Sequence, residues 1–324
     1  MTIKENTDIR NELFAVIQSD FPAIERPFRV IAERAGLTEG HVINEIRTLL
    51  GDGTIRAFSP VFEGQMLGYT STLAAAEVEP DSIDDVARFL APLTGVTHNY
   101  LRDNRFNLWF TVAAPSEDAI QVIIDNVGNF SGVSATLNLP ALRVYKVRAV
   151  FGATSSTTST TVKPVKTPSP NEAEKRLVRI LQEGLPITEQ PYKLIAERMG
   201  IDEEVVLSTI RRWMETGTIR RFGARLNHHK AGFTANAMAV WDCGDSDDLG
   251  ELFAAIPSVS HCYRRKTYPE WPLGLYTMVH ACSESELSGT LEHMKSQAHG
   301  AEMMILPTIS ELKKTTMKYF LEDA

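Results

Sequence analysis

The chain has little cysteine, no long apolar stretch and no surplus of positive charge. Cys243, Cys262 and Cys282 are the only cysteines among 324 residues, an odd number with no Cys-x-x-Cys spacing. A disulfide framework or a structural zinc site is therefore not expected, and the usage fits a reducing cytoplasm. No apolar run reaches the roughly 18 residues of a membrane span, and the opening MTIKENTDIRNE lacks the apolar core of a signal peptide. There is no glycine-rich dinucleotide fingerprint, P-loop, His-Glu-x-x-His or serine-elbow motif, so no nucleotide cofactor and no bound metal is expected. Lysine and arginine total 33 against 41 aspartate and glutamate, a net charge of -8. What remains is an ordinary globular composition, 43% hydrophobic and 23% charged, on a chain long enough for two or more domains.

What is present is a pattern written twice. His98-x-Tyr100-x-Arg102 recurs as His261-x-Tyr263-x-Arg265, 163 residues later. Residues two apart on a strand share a face, so each copy presents an imidazole, a phenol and a guanidinium in a row. Pro27–Gly36 matches Pro191–Gly200 at six of ten positions with an offset of 164, and Gly53–Phe58 matches Gly217–Phe222 at the same offset. Leu139-Pro140 matches Leu306-Pro307 at an offset of 167. A period this long marks a duplicated domain pair rather than a solenoid. Residues 152–170, rich in Gly, Ser, Thr, Pro and Lys, read as a flexible linker spanning roughly 25 Å. That reach lets the halves pack as a covalent pseudo-dimer.

Each half divides again. In the second, Ser169 and Pro170 suit a helix start, Ala173, Leu177, Ile180 and Leu181 follow helical spacing, and Gly184 suits its end. Helices over 191–199 and 202–216 follow, then an extended stretch over 219–226. The first half repeats this over 6–20, 27–35, 38–50 and 55–62. Helix, helix–turn–helix and β-wing make a winged-helix pattern. The rest of each half alternates as βαββαβ, a ferredoxin-like order with helices on one face of an antiparallel sheet. The fold class is thus α+β, two tandem copies of a winged helix–turn–helix and a ferredoxin-like domain. The domains span 1–63, 64–151, 171–227 and 228–324, with the linker at 152–170. The order resembles the Lrp/AsnC family of transcription regulators, which implies the fold but does not assign the function.

Charge argues against DNA. The second recognition helix opens on Asp202-Glu203-Glu204, and between Thr38 and Gly53 the first carries one cation, Arg47, against Glu39, Glu45 and Asp52. Carboxylates there suit the helix dipole but face phosphates with the wrong sign.

The segments RRFGARLNHHKAGFTANAMAVW, VSHCYRR, WPLGLYTMVH and LPTISELKKTTMKYF, with VTHNYLRDNRFNLWFT and LPALRVYKVRAVF in the first half, resemble the siroheme decarboxylase family in its fused two-subunit form. The resemblance implies non-oxidative conversion of siroheme to 12,18-didecarboxysiroheme in haem d1 or alternative haem biosynthesis. It implies siroheme and its product as partners, and no cofactor beyond the substrate's own iron. A proton must be delivered to carbon, which suits histidine, and eight carboxylates must be held, which suits arginine. His228 and His261 are the expected proton donors. Arg264, Arg265, Tyr263 and Lys230 are the expected substrate-binding groups, with His98, Tyr100 and Arg102 as the pseudo-symmetric site. His228 and Arg264 have no counterpart in the first half, where Gly64 and Leu101 stand, so the second copy is the expected active centre. A pseudo-dimer with further self-association is open. The rival readings are a DNA-binding regulator and a noncatalytic haem sensor.

Overall fold

The computed structural model describes residues 17–18, 21–147, 160–161, 169–226, 235–242, 244 and 246–321. The first half runs α1 (Pro27–Arg34), α2 (Glu39–Gly51), β1 (Ile55–Phe62), β2 (Thr70–Val78), α3 (Ile83–Leu90), β3 (Val96–Arg102), β4 (Leu108–Ala114), α4 (Glu117–Gly128) and β5 (Val133–Val147), followed by the short β6 (Thr160–Thr161). The second runs α5 (Glu172–Glu183), α6 (Pro191–Met199), α7 (Glu203–Glu215), β7 (Ile219–Leu226), β8 (Ala235–Trp241), α8 (Asp248–Ala254), β9 (Val259–Arg265), β10 (Leu275–Ala281), α9 (Glu284–Gln297), β11 (Met303–Leu306) and β12 (Thr308–Lys314). Thr38, Ser116, Asp202 and Ser283 cap their helices by accepting a backbone N–H two or three residues on. The expected cap at Ser169 moves to Asn171, whose side chain accepts from the Glu174 N–H while the Glu174 carboxylate accepts from the Asn171 N–H. That reciprocal pair satisfies two orphan donors at once and sets the start two residues later. The expected helix over 6–20 lies outside the described residues except for Ile17 and Gln18. Most of the expected linker is outside them as well, although Thr160–Thr161 pairs with Arg143 and Val144 of β5.

The chain divides into two units, each built from both halves. One holds residues 1–68, 166–231 and 318–324, the winged-helix parts; the other holds 69–165 and 232–317, the ferredoxin-like parts. In the first unit the halves share an aromatic core in which Phe21 lies 4.9 Å from Phe58 and 5.5 Å from Phe222. The extended stretches expected over 55–62 and 219–226 are strands β1 and β7. Each half contributes a single strand, and β1 pairs antiparallel with β7, Ser59 opposite Gly223. Among the described residues neither strand has a partner in its own half, and each satisfies its edge on the other. Gly223 is required there because a Cβ would lie 2.2 Å from the Ile17 carbonyl. Residues 318–321 also belong to this unit, where the Tyr319 N–H donates to the Gln182 side chain at 2.9 Å.

In the second unit the strand order is β11-β8-β10-β9-β5-β2-β4-β3-β12. Each half keeps the ferredoxin-like order, fourth strand, first, third, second. Helices α3 and α4 cover one face through Val86, Leu90, Ile120, Ile124 and Val127. Helices α8 and α9 do the same through Phe253, Ala254, Leu287, Leu291 and Met294. The opposite faces meet in a shared core of Leu73, Trp109, Leu137 and Leu139 from one half with Val240, Trp271, Tyr276 and Leu306 from the other. The final strand of each half does not stop at its Leu-Pro. Residues up to Pro140 pair with β2, and 141–147 continue against β9. Residues 303–306 pair with β8, and 308–314 continue against β3. Only Pro307 separates β11 from β12, so the strand path closes on itself.

Candidate functional site

The His-x-Tyr-x-Arg strands β3 and β9 are the ones each half offers to the other half's exchanged strand. On β3 the His98 and Tyr100 rings lie 6.2 Å apart and within 25° of parallel, and the Arg102 guanidinium sits 5.3 Å from the Tyr100 ring centroid. On β9 the His261 and Tyr263 rings lie 6.1 Å apart and 19° from parallel, with Arg265 at 4.9 Å from the Tyr263 ring. The period-two reading therefore holds in both copies, and the two stacks match. Arg265 also lies 5.5 Å from the Tyr276 ring.

Each arginine is engaged by main chain. Arg102 Nη1 donates to the Leu306 carbonyl at 2.7 Å and to Thr308 Oγ1 at 3.1 Å. Arg265 Nη1 donates to the Leu139 carbonyl at 2.9 Å. The next residues repeat the symmetry, the Asp103 N–H donating to the Pro307 carbonyl and the Lys266 N–H to the Pro140 carbonyl. The duplicated Leu-Pro and the duplicated arginine are thus two sides of one contact, a latch at the point where each strand crosses into the other half. Arg102 is 5% exposed, and burial lowers its pKa to about 10, against the favourable effect of Tyr100. Burial likewise lowers Arg265, with Tyr263 and Tyr276 opposing. Tyr100 is pushed up to about 12 by burial and by Glu311, whose carboxylate accepts from its hydroxyl at 3.3 Å.

A hydroxyl precedes each histidine, a feature the motif alone did not flag although Thr97 and Ser260 stand at the same offset. Ser260 Oγ donates to the Met278 carbonyl at 3.2 Å and meets His261 Nδ1 at 2.9 Å. With its proton committed to the carbonyl, the oxygen accepts from an Nδ1–H of His261. Thr97 Oγ1 meets His98 Nδ1 at 2.9 Å and Thr111 Oγ1 at 2.7 Å.

Arg264 points to the helix-covered face, away from the stack. It donates to the Tyr145 hydroxyl at 3.2 Å and the Gly244 carbonyl at 2.9 Å, and also to the Ser246 carbonyl. Asp247 joins Arg264, Arg143 and Tyr145. Its carboxyl is held below the usual range by the Tyr145 hydroxyl first and then by Arg143 and Arg264. Leu101 and Leu312 stand at the pseudo-symmetric positions of Arg264 and Tyr145, so this polar clasp, which joins β5 of the first half to the second half, has no counterpart around β3. The asymmetry that singled out Arg264 thus has a structural counterpart, its contacts to Gly244, Ser246 and Asp247. Arg264 and Arg265 also border an open concavity of about 480 Å³ lined by Leu142, Asp242, Gly244, Tyr268 and neighbours. His228 and Lys230 lie outside the described residues. Trp109 and Trp271 are packing residues, their rings 5.4 Å apart in the shared core.

The recognition-helix cations of the winged-helix unit stay exposed but are engaged by other protein groups. Arg47 Nη2 donates to the Ile187 carbonyl at 2.7 Å, and Arg211 Nε donates to the Ala23 carbonyl at 3.2 Å, a matched exchange between halves. Arg211 and Arg212 pair with Glu204 and Glu174. Beside the start of α7 is an acidic concavity of about 360 Å³ lined by Glu25, Glu197, Asp202, Glu203 and Glu204 with Lys193. That surface repels a phosphate backbone.

These features define a class, tandem winged-helix proteins carrying duplicated ferredoxin-like ligand-binding domains. Residues 66–146 and 230–313 match the AsnC-like ligand binding domain, and residues 11–56 and 174–220 match the siroheme decarboxylase NirDL-like HTH domain. The chain is 33% identical over 318 residues to the siroheme decarboxylase of Hydrogenobacter thermophilus, covering 97% of this chain and 95% of that protein. It is 43% identical over 152 residues to the siroheme decarboxylase beta subunit of Oleidesulfovibrio alaskensis, which covers 46% of this chain and 96% of that subunit. The crystal structure of the siroheme decarboxylase NirDL in complex with an iron-uroporphyrin III analogue aligns with a TM-score of 0.77 at 30% identity, covering 97% of this chain and 95% of that one. The chain belongs to the siroheme decarboxylase family, in its fused single-chain form.

Proposed function

We propose that this protein is a carbon–carbon lyase that removes carbon dioxide from the C12 and C18 acetate side chains of siroheme, giving 12,18-didecarboxysiroheme. The observation that carries the reading is the pair of matched His–Tyr–Arg stacks on a scaffold shared over nearly its whole length with a siroheme decarboxylase. Loss of carbon dioxide leaves the bond's electron pair on the methylene carbon, delocalised into the pyrrole, and a proton must reach that carbon to form the methyl group. His261, protonated on both nitrogens, keeps Nδ1–H on Ser260 and delivers the proton from Nε2. His98, on Thr97, is the equivalent group of the other half. A positioned general acid accelerates such a step by about 10²- to 10⁴-fold. Tyr263 and Tyr100 present ring faces and hydroxyls to the macrocycle, and Arg265 and Arg102 form the charged end of each stack. Arg264 borders the neighbouring concavity, where a propionate would meet it. His228 is carried forward as a second proton donor and Lys230 as a carboxylate-binding cation. The reaction oxidises nothing, so it calls for no cofactor beyond the substrate's iron. The cytoplasm is the proposed site of action, with the covalent pseudo-dimer as the working unit, alone or in a larger homo-oligomer.

Anaerobic incubation with siroheme, read by mass, tests this. Loss of two carbon dioxides supports it. A shifted Soret band with unchanged mass would identify a noncatalytic tetrapyrrole sensor and sink the enzyme reading.

A further inference from the structure

The ribbon of the winged-helix unit carries a group of arginines that the stacks do not use. Along β7, Phe222 and Ala224 are buried, 1% and 0% exposed. Strand alternation therefore turns Arg221 and Arg225 to the opposite face, flanking the Ser59–Gly223 pair. Arg225 donates to Ser59 Oγ at 3.2 Å. Arg56 lies at the register shift between Ile55 and Ala57, beside Arg225. Arg221 Nε is buried without a hydrogen-bond partner, and among the described residues Arg221 pairs with no carboxylate, whereas the neighbouring Arg220 meets Glu63 at 3.4 Å. Burial lowers both guanidiniums, and the charges of neighbouring arginines lower them further, Arg225 and Arg220 acting on Arg221 and Arg56 on Arg225. Like charges held together and partly dried are unfavourable unless an anion answers them. In a chain of net charge -8, with Ala57 and Val61 at the matching first-half positions, this concentration is specific to the second half.

We infer that the Arg221–Arg225 face of the ribbon, with Arg56, binds carboxylate side chains of the tetrapyrrole and ranks ligands by how many carboxylates they carry. Arg221 and Arg225 are four residues apart on one strand face, about 13 Å at ~3.3 Å per residue. That spacing lets them reach different carboxylates of one macrocycle, each by a bidentate, charge-assisted contact. This inference rests on the tetrapyrrole reading above and adds to it a recognition site separate from the proton donors.

The test is a titration of the full chain with iron-uroporphyrin III, which has eight carboxylates, and with an iron porphyrin carrying two propionates. For the variant R221Q/R225Q, the octacarboxylate affinity should fall about 100-fold, roughly tenfold per arginine, while the two-propionate affinity moves less than about threefold. R221K and R225K, which keep charge but lose the fork, should fall between, and they carry the comparison if the double variant does not fold. A folded variant that binds both porphyrins like the parent, or loses both equally, overturns the inference. A parent chain that leaves siroheme intact overturns the decarboxylase reading instead, and the two titrations still decide the arginines.

Discussion

Replacing Arg102 with methionine tests the latch at the strand crossing. Arg102 is 5% exposed and gives two hydrogen bonds from a charged donor, to the Leu306 carbonyl and Thr308 Oγ1. Such bonds contribute about 1.5–3 kcal/mol each. Burying the guanidinium with no carboxylate paired to it among the described residues cancels part of that, and methionine refills most of the volume. A net loss of about 2–3 kcal/mol remains. It should appear locally, because the bonds hold β12 onto β3. Native-state hydrogen exchange read by mass spectrometry should then show β12 amides over residues 308–314, with Asp103, exchanging ~30- to 150-fold faster. Helix α4 should stay protected. Arg265→Met should loosen residues 141–147 in the same way but less, since Arg265 Nη1 holds the Leu139 carbonyl and Ala141, at the position of Thr308, offers no hydroxyl. Protection of β12 within about threefold of the parent would refute the latch. So would an equal loss throughout the chain.

The remaining predictions concern the stacks and the clasp. His261→Gln and His98→Gln should each slow one decarboxylation by about 10²- to 10⁴-fold, so that a product lacking a single carbon dioxide accumulates. Complete loss of both steps in either single variant would contradict two equivalent stacks. Asp247 is depressed in the folded state, so its contribution to stability is present above its unfolded pKa and fades as pH falls through the folded value. Asp247→Asn should therefore lower the melting temperature at neutral pH, and the gap should close on acidification below the usual carboxylate range. Gly250→Ala should break the clasp, because a Cβ there would lie 2.3 Å from the Tyr145 ring. Raised proteolysis between residues 242 and 247 would report it, and unchanged cleavage would place the strain elsewhere.

Much of this protein was legible before folding. Strand β7 and helix α6 fall on their expected bounds because apolar periodicity, Pro191 and Gly200 are local signals. The stacked row of His, Tyr and Arg followed from strand alternation alone. That β1 and β7 pair with each other was not legible, because nothing local states which edge a strand satisfies. Arg264 stood out in the sequence because it broke the symmetry, but its partners Tyr145 and Asp247, 119 and 17 residues away, are not carried by any local spacing.

The amino-acid sequence by itself determined the duplication, the domain types, the faces of the strands and the acidity that disfavours nucleic acid. Those are properties of spacing and composition, and they survive without any long-range contact. Only the tertiary structure decided that the duplicated Leu-Pro and the duplicated arginine meet, that they meet across halves, and that each half completes the other's sheet. The separation of Arg102 from Leu306 by 204 residues explains why. A contact closed over that much chain depends on where two domains are brought together, and no local pattern carries that information.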